Sequence, residues 1–224
     1  MSSAVQRRYF QTVDYRQPDH PVVAAYVEPK LRFIDSCINL RNVRILDVGC
    51  GNGVFAHYLK NTYECAYTGV DLSPALIKKN PIRGCALAHC LRLPFNDNAF
   101  PIVFAANLLH HLDDPDGAIA EMHRVAARHV VLVEPNALNP IMFGFSLLVK
   151  EERGGLRSLM PVLLRRLQKN GLTPISRLTT GMISQNNTSP LLAPFLKMFD
   201  VNFPFGEYHV LIGAKSLSPK GFRS

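Results

Sequence analysis

The chain lacks the marks of several protein classes. Its five cysteines (Cys37, Cys50, Cys65, Cys85, Cys90) are odd in number and include no C-x-x-C pair, so neither a disulfide framework nor a zinc cluster is expected. The longest uncharged apolar stretch of the C-terminal half, residues 140–149, is about half of the ~20 residues that a bilayer-spanning helix needs. Behind the basic residues Arg7 and Arg8, residues 9–20 are polar and aromatic rather than an apolar signal core. A reducing cytoplasm is therefore the expected compartment. No internal repeat or low-complexity tract stands out.

What is present suits one large domain with a substantial core, because the chain has 224 residues. The net charge is +8, and Lys150, Arg153, Arg157, Arg165, Arg166, Lys169 and Arg177 lie in the C-terminal half. Other basic residues are scattered through the N-terminal half, so solvated helix faces explain the charge better than a nucleic-acid stripe does.

Residues 21–38 place Val22, Val23, Tyr26, Val27, Leu31, Phe33, Ile34 and Ile38 on an approximate helical stripe broken at Pro29, which reads as one or two helices. Strand and helix then alternate. Strands are expected at 43–48, 65–70, 83–88, 101–106 and 130–133, and an amphipathic helix at 118–127. Near-continuous apolar strands of this kind indicate a parallel sheet buried on both faces. Beyond Asn136 come an apolar segment, a basic amphipathic helix at 160–170, a short strand at 173–178, a loop at 180–194 and a last strand at 207–214.

Residues 45–53 read Ile-Leu-Asp-Val-Gly-Cys-Gly-Asn-Gly, a β-branched run that stops at Gly49, Gly51 and Gly53 and leads into a helical pattern. Glycine permits φ > 0 and lets a ligand approach bare backbone, and the helix N-terminus behind it offers unpaired N–H groups. The dinucleotide fingerprint needs a glycine where Val54 stands, and the Gly-Lys-Ser/Thr of a P-loop is missing.

These residues carry a resemblance. Residues 47–53 resemble the first motif of class I S-adenosylmethionine-dependent methyltransferases, and Gly69-Val70-Asp71-Leu72-Ser73 resembles the second. Residues 93–100, Leu108-Leu109-His110-His111-Leu112 with Asp114-Pro115, and residues 131–136 are similar to later blocks of the methyltransferase type 11 branch, which includes the ubiquinone and menaquinone biosynthesis methyltransferases. The resemblance spans roughly residues 43–136 and implies a Rossmann-like, doubly wound, mostly parallel α/β sheet with an antiparallel last strand. It also implies S-adenosyl-L-methionine as cofactor, held by Asp47, Gly49, Cys50, Gly51, Gly53, Asp71, Leu72, His89, Cys90, Leu91 and Asn107. Asp71 lies near the roughly 20-residue offset at which an acidic residue after strand two meets a ribose diol. Two departures stand out: His89 occupies a position often held by Asp, and Pro101 the place of a usual acidic residue.

The domain organisation expected is a helical cap at 1–40, a cofactor-binding core at 41–136, a substrate cover at 137–204 and the last strand at 205–215. His110 and His111 are the candidates for a catalytic base, with at most one expected to face the substrate because adjacent side chains diverge. For the same reason no metal is expected at 110–114. Glu134, Met142 and Phe143 are candidate substrate contacts, and Phe145, Met160 and Met182 could also line an apolar acceptor site. The expected reaction is in-line methyl transfer to a small, partly hydrophobic metabolite, with peripheral membrane contact a lesser reading. The rivals are an RNA methyltransferase, a cofactor-binding subunit without catalysis and a nicotinamide-dependent oxidoreductase. The chain lacks the Asn/Asp-Pro-Pro-aromatic motif of amino-methylating nucleic-acid enzymes, and its oligomeric state is not legible.

Overall fold

The computed structural model describes residues 15–216; the basic and aromatic features noted at 1–14 lie outside them. Helix α1 (Pro21–Ile38) opens with the His20 Nδ1 accepting from the Val22 N–H at 3.1 Å. Its apolar stripe, Val22, Val23, Tyr26, Val27, Leu31 and Ile34, is buried. The helix runs unbroken through Pro29, where the sequence suggests a break. Burial of that whole stripe outweighs the roughly 3 kcal/mol that an interior proline costs.

The sheet follows as β1 (Arg44–Val48), α2 (Val54–Asn61), β2 (Ala66–Asp71), α3 (Pro74–Lys79), β3 (Cys85–Leu87), β4 (Phe100–Ala106), α4 (Pro115–Val125) and β5 (Ala126–Pro135). Then come α5 (Pro140–Leu148), a 3-10 stretch (Lys150–Arg157), α6 (Met160–Lys169), β6 (Leu172–Thr180), α7 (Ala193–Leu196) and β7 (Tyr208–Lys215). Among the described residues the seven strands form one sheet in the order β3-β2-β1-β4-β5-β7-β6. Strands β1 to β5 pair in parallel, and β7 runs antiparallel to both β5 and β6.

Alternation along the central strands divides the core. Ile102, Phe104, Val131 and Val133 pack under α1 and α2, whereas Val103, Ala105, Val130 and Leu132 pack under α4 and α6. The helix expected to reach Ala127 ends at Val125, because Ala126 turns extended and pairs with Phe100 to start β5. The span 137–204 is not all cover: α6 and β6 belong to the sheet layer, leaving α5, the 3-10 stretch and residues 181–207 around the carboxyl end of the strands.

Candidate active site

A cavity of about 670 Å³ opens beyond the carboxyl ends of β1, β2 and β4, where open α/β sheets bind ligands. Gly49, Gly51 and Gly53 have φ values of +77°, +52° and +85°, so the turn after β1 depends on glycine. A Cβ built on Gly51 meets nothing nearer than the Gly49 oxygen at 4.0 Å, which leaves open space on the cavity side. Gly53 does not line the cavity, contrary to expectation; a Cβ there would strike the Asn80 side chain at 2.3 Å. Its role is packing: Asn80 lies against it and donates its Nδ2–H to the Gly51 carbonyl at 3.3 Å.

Asp71 ends β2 with Oδ2 accepting from Gly51 N at 2.9 Å and Oδ1 accepting from Ser73 N at 2.7 Å. Burial raises its pKa, while the Ser73 and Gly51 N–H groups oppose the rise. Each oxygen retains a lone pair, so the carboxylate can still take a diol. Asp47 accepts from the Tyr67 hydroxyl at 2.9 Å, and burial pushes its carboxyl up to about 7. Leu72, Ala88, His89, Cys90 and Leu91 form the next wall. His89 Nδ1 is taken by the Leu91 N–H at 3.2 Å, which leaves Nε2. Asn107, at φ +52°, lines the wall nearer β4 and donates to the Tyr26 hydroxyl at 2.9 Å.

At the end of β4 a 3-10 turn, Leu109–His111, carries both candidate histidines. They do not diverge. Their ring centroids are 3.9 Å apart with a 44° tilt, and both line the cavity. Glu134 explains the turn. It is fully buried at the end of β5 and does not line the cavity, so it is not the substrate contact expected. Its Oε1 accepts from Leu108 N at 3.0 Å and Leu109 N at 2.8 Å, and its Oε2 accepts from His110 N at 3.3 Å and faces His110 Nδ1 at 2.7 Å. Burial alone would lower the His110 pKa, but Glu134 and then Glu152 outweigh it and hold it at about 9. Burial and the neighbouring His110 lower His111 to about 4. His110 is thus a cation between two carboxylates, and His111 is neutral.

The far wall comes from the late chain. Met142 and Phe145 of α5 line the cavity with Tyr208 and residues 184–187. Phe143, the third candidate, faces outward with half of its surface exposed, beside Ile141 and Leu147; Met160 and Met182 are also absent from the lining. Buried Asn139 accepts from Ile141 N and Met142 N, capping α5, and donates to the Phe205 carbonyl at 2.8 Å. Sequence reasoning missed Tyr15, Glu152 and residues 184–187. Arg16 ties two of these parts together, because its Nη1 donates to the carbonyls of Gln185 and Thr188 at 3.2 and 2.8 Å. Among the described residues no lysine or arginine lines the cavity, whereas Asp47, Asp71, Asp113, Asp114 and Glu152 do.

The strand order and the cavity beyond the carboxyl ends of the parallel strands define a Rossmann-like α/β fold. Residues 46–133 match the family model described as a methyltransferase domain. An uncharacterized methyltransferase of Schizosaccharomyces pombe is 38% identical over 98 residues, which cover 37% of this chain and 35% of the relative. Ajmaline N-methyltransferase of Rauvolfia serpentina is 31% identical over 101 residues, covering 40% and 34%. The chain spans about a third of the length of these curated relatives. Among solved structures, an S-adenosylmethionine-dependent methyltransferase from Thermotoga maritima superposes with a TM-score of 0.65 at 17% identity, covering 87% of this chain and 92% of that one. Magnesium protoporphyrin IX methyltransferase from Synechocystis, solved with S-adenosylhomocysteine bound, gives 0.58 at 17% identity, covering 96% and 95%. At such identities the likeness concerns the fold.

Proposed function

We propose that this chain transfers the methyl group of S-adenosylmethionine to a small, partly hydrophobic metabolite. The observation that carries this reading is the single cavity that joins the glycine turn and Asp71 on one side to His110, His111, Met142 and Phe145 on the other. The residues fit the cofactor: Gly51 leaves open space for close approach, Asp71 offers two fixed acceptors to a ribose diol, and Leu72, Cys90 and Leu91 supply an apolar wall for adenine. When bound, the sulfonium supplies an activated methyl group. The chain's own task is to bind, orient and dehydrate. Met142, Phe145 and Tyr208 exclude water from the acceptor side, and the histidine turn, pinned by Glu134, presents fixed polar atoms to it.

The acidic lining supports a small acceptor over RNA, because a polyanion gains nothing from a cavity that no lysine or arginine lines among the described residues. The test is label transfer from methyl-labelled S-adenosylmethionine to a panel of small metabolites and to total RNA. Label in the small-molecule fraction is expected. Label in RNA alone would replace this reading with its rival, and cofactor binding without transfer to any member would favour the non-catalytic subunit.

A further inference from the structure

The two histidines and Glu152 converge in a way that positioning an acceptor does not require. We propose that His110, His111 and Glu152 form a binding site for a divalent transition-metal ion on the wall of the cavity. Both His110 Nε2 and His111 Nε2 face the same oxygen, Glu152 Oε2, at 3.4 and 3.9 Å. One ligand atom from each of the three residues lies within 4.8 Å of the others. Bonds of about 2.1 Å in a tetrahedral shell place ligand atoms about 3.4 Å apart, so small side-chain rotations suffice to close the shell.

The outer partners set the ring nitrogens for this task. The Glu134 carboxylate accepts from His110 Nδ1 at 2.7 Å. The Glu151 carbonyl, which can only accept, faces His111 Nδ1 at 3.4 Å. In each ring Nδ1 is therefore the donor and Nε2 the atom a metal would take, which in His110 means displacing the proton directed at Glu152; a carboxylate or carbonyl fixes ligating imidazoles in this way. The backbone is built to hold Glu152 there. A Cβ on Gly154 would lie 1.6 Å from the His110 carbonyl oxygen, so only glycine lets the Lys150–Arg157 stretch press this closely on the histidine turn.

Two imidazoles and one carboxylate suit zinc, iron, cobalt or manganese rather than calcium or magnesium. The three residues line the cavity, so the remaining coordination positions face the acceptor side, where a hydroxyl or carboxylate oxygen would complete the shell. That choice of an oxygen-bearing acceptor rests on the methyltransferase reading; the metal site does not. Asp113 and Asp114 line the same cavity and offset added positive charge.

The full-length chain, stripped with chelator and desalted, is titrated with Co²⁺ by visible absorption and with Zn²⁺ by calorimetry, without S-adenosylmethionine. Saturable binding of one ion per chain is expected, with the ligand-field bands of a nitrogen and oxygen shell. Glu152→Gln and His111→Ala, each checked for native circular dichroism, are expected to weaken binding by about 100-fold or more. Asp71→Ala should bind the metal as the wild type does while losing S-adenosylmethionine, which separates this site from the cofactor reading. No saturable binding by the wild type, or equal binding by both ligand variants, overturns the site and leaves an ion-paired histidine. Equal label transfer to oxygen-bearing acceptors with and without metal overturns the metal's part in acceptor choice.

Discussion

Glu134 holds His110 from below: a fully buried carboxylate at the end of β5 faces the imidazole Nδ1 at 2.7 Å and takes the backbone N–H groups of the same turn. The histidines border the cavity because this one side chain satisfies the turn that carries them. Glu134→Gln swaps an acceptor oxygen for an N–H₂ that must face those donors. A loss of about 2–4 kcal/mol in urea unfolding is expected. A variant as stable as the wild type would show that the turn stands without it.

Gly154→Ala probes the same junction from the other side. Its methyl group would overlap the His110 carbonyl, so the Lys150–Arg157 stretch must move away. The expected cost is about 1–3 kcal/mol, together with weakened Co²⁺ binding. Thermal melting and metal titration read the two effects independently. An unchanged melt would mean that the contact yields at no cost.

A second buried ionic group gives a pH dependence. Lys30 is buried against the Tyr26 and Tyr208 rings, with burial lowering its pKa to about 7 despite Glu207 and Asp200. Burial raises Glu207 to about 7, and its Oε2 has no hydrogen-bond partner among the described residues. From 4.5 to about 7 the folded chain keeps a Glu207 proton that the unfolded chain has released, so this group's contribution to stability falls as pH rises. From about 7 to 10.5 the unfolded chain keeps a Lys30 proton that the folded chain has released, so the Lys30 contribution rises with pH. The pair therefore contributes least near pH 7. Lys30→Met with Glu207→Gln should raise the melting temperature most at pH 7 and less at pH 5 and 9. A uniform shift would contradict the assignment.

Gly51→Val tests close approach by the cofactor. The residue sits at φ +52° with open space at its Cβ, so the side chain would enter the space left for close approach of the cofactor. Valine is strained at φ +52°, so the melting temperature is expected to fall, and S-adenosylmethionine binding is expected to be lost even where circular dichroism shows the variant folded. Normal binding would remove the argument.

The legibility of these features follows from their physics. Strands β1, β2, β4 and β5 show in the sequence because they are largely apolar runs, closed by glycine or an acid in β1, β2 and β5 and by Asn107 in β4, and the glycine turn shows because three backbone positions demand left-handed φ. Met142 was legible as a cavity residue; Phe143 was misread because apolar content alone does not say which face of α5 points inward. Glu134 looked like a pocket-edge acid, since nothing local shows that its partners are the N–H groups of Leu108 and Leu109. Glu152 was hidden in the charged run 150–153, where a ligand and a solvated acid look alike. At Pro29 the sequence left one helix or two open, because local propensity does not show the tertiary burial of Val27, Leu31 and Ile34 that favours one.

The central claim is that Asp71 and the glycine turn bind S-adenosylmethionine. Calorimetric titration of the wild type and of Asp71→Ala measures it most directly. The wild type should bind, and loss of two charge-assisted hydrogen bonds should weaken the variant by about 1.5–3 kcal/mol, roughly 10- to 150-fold. Equal affinity in the two proteins, or no binding by the wild type, would contradict the account.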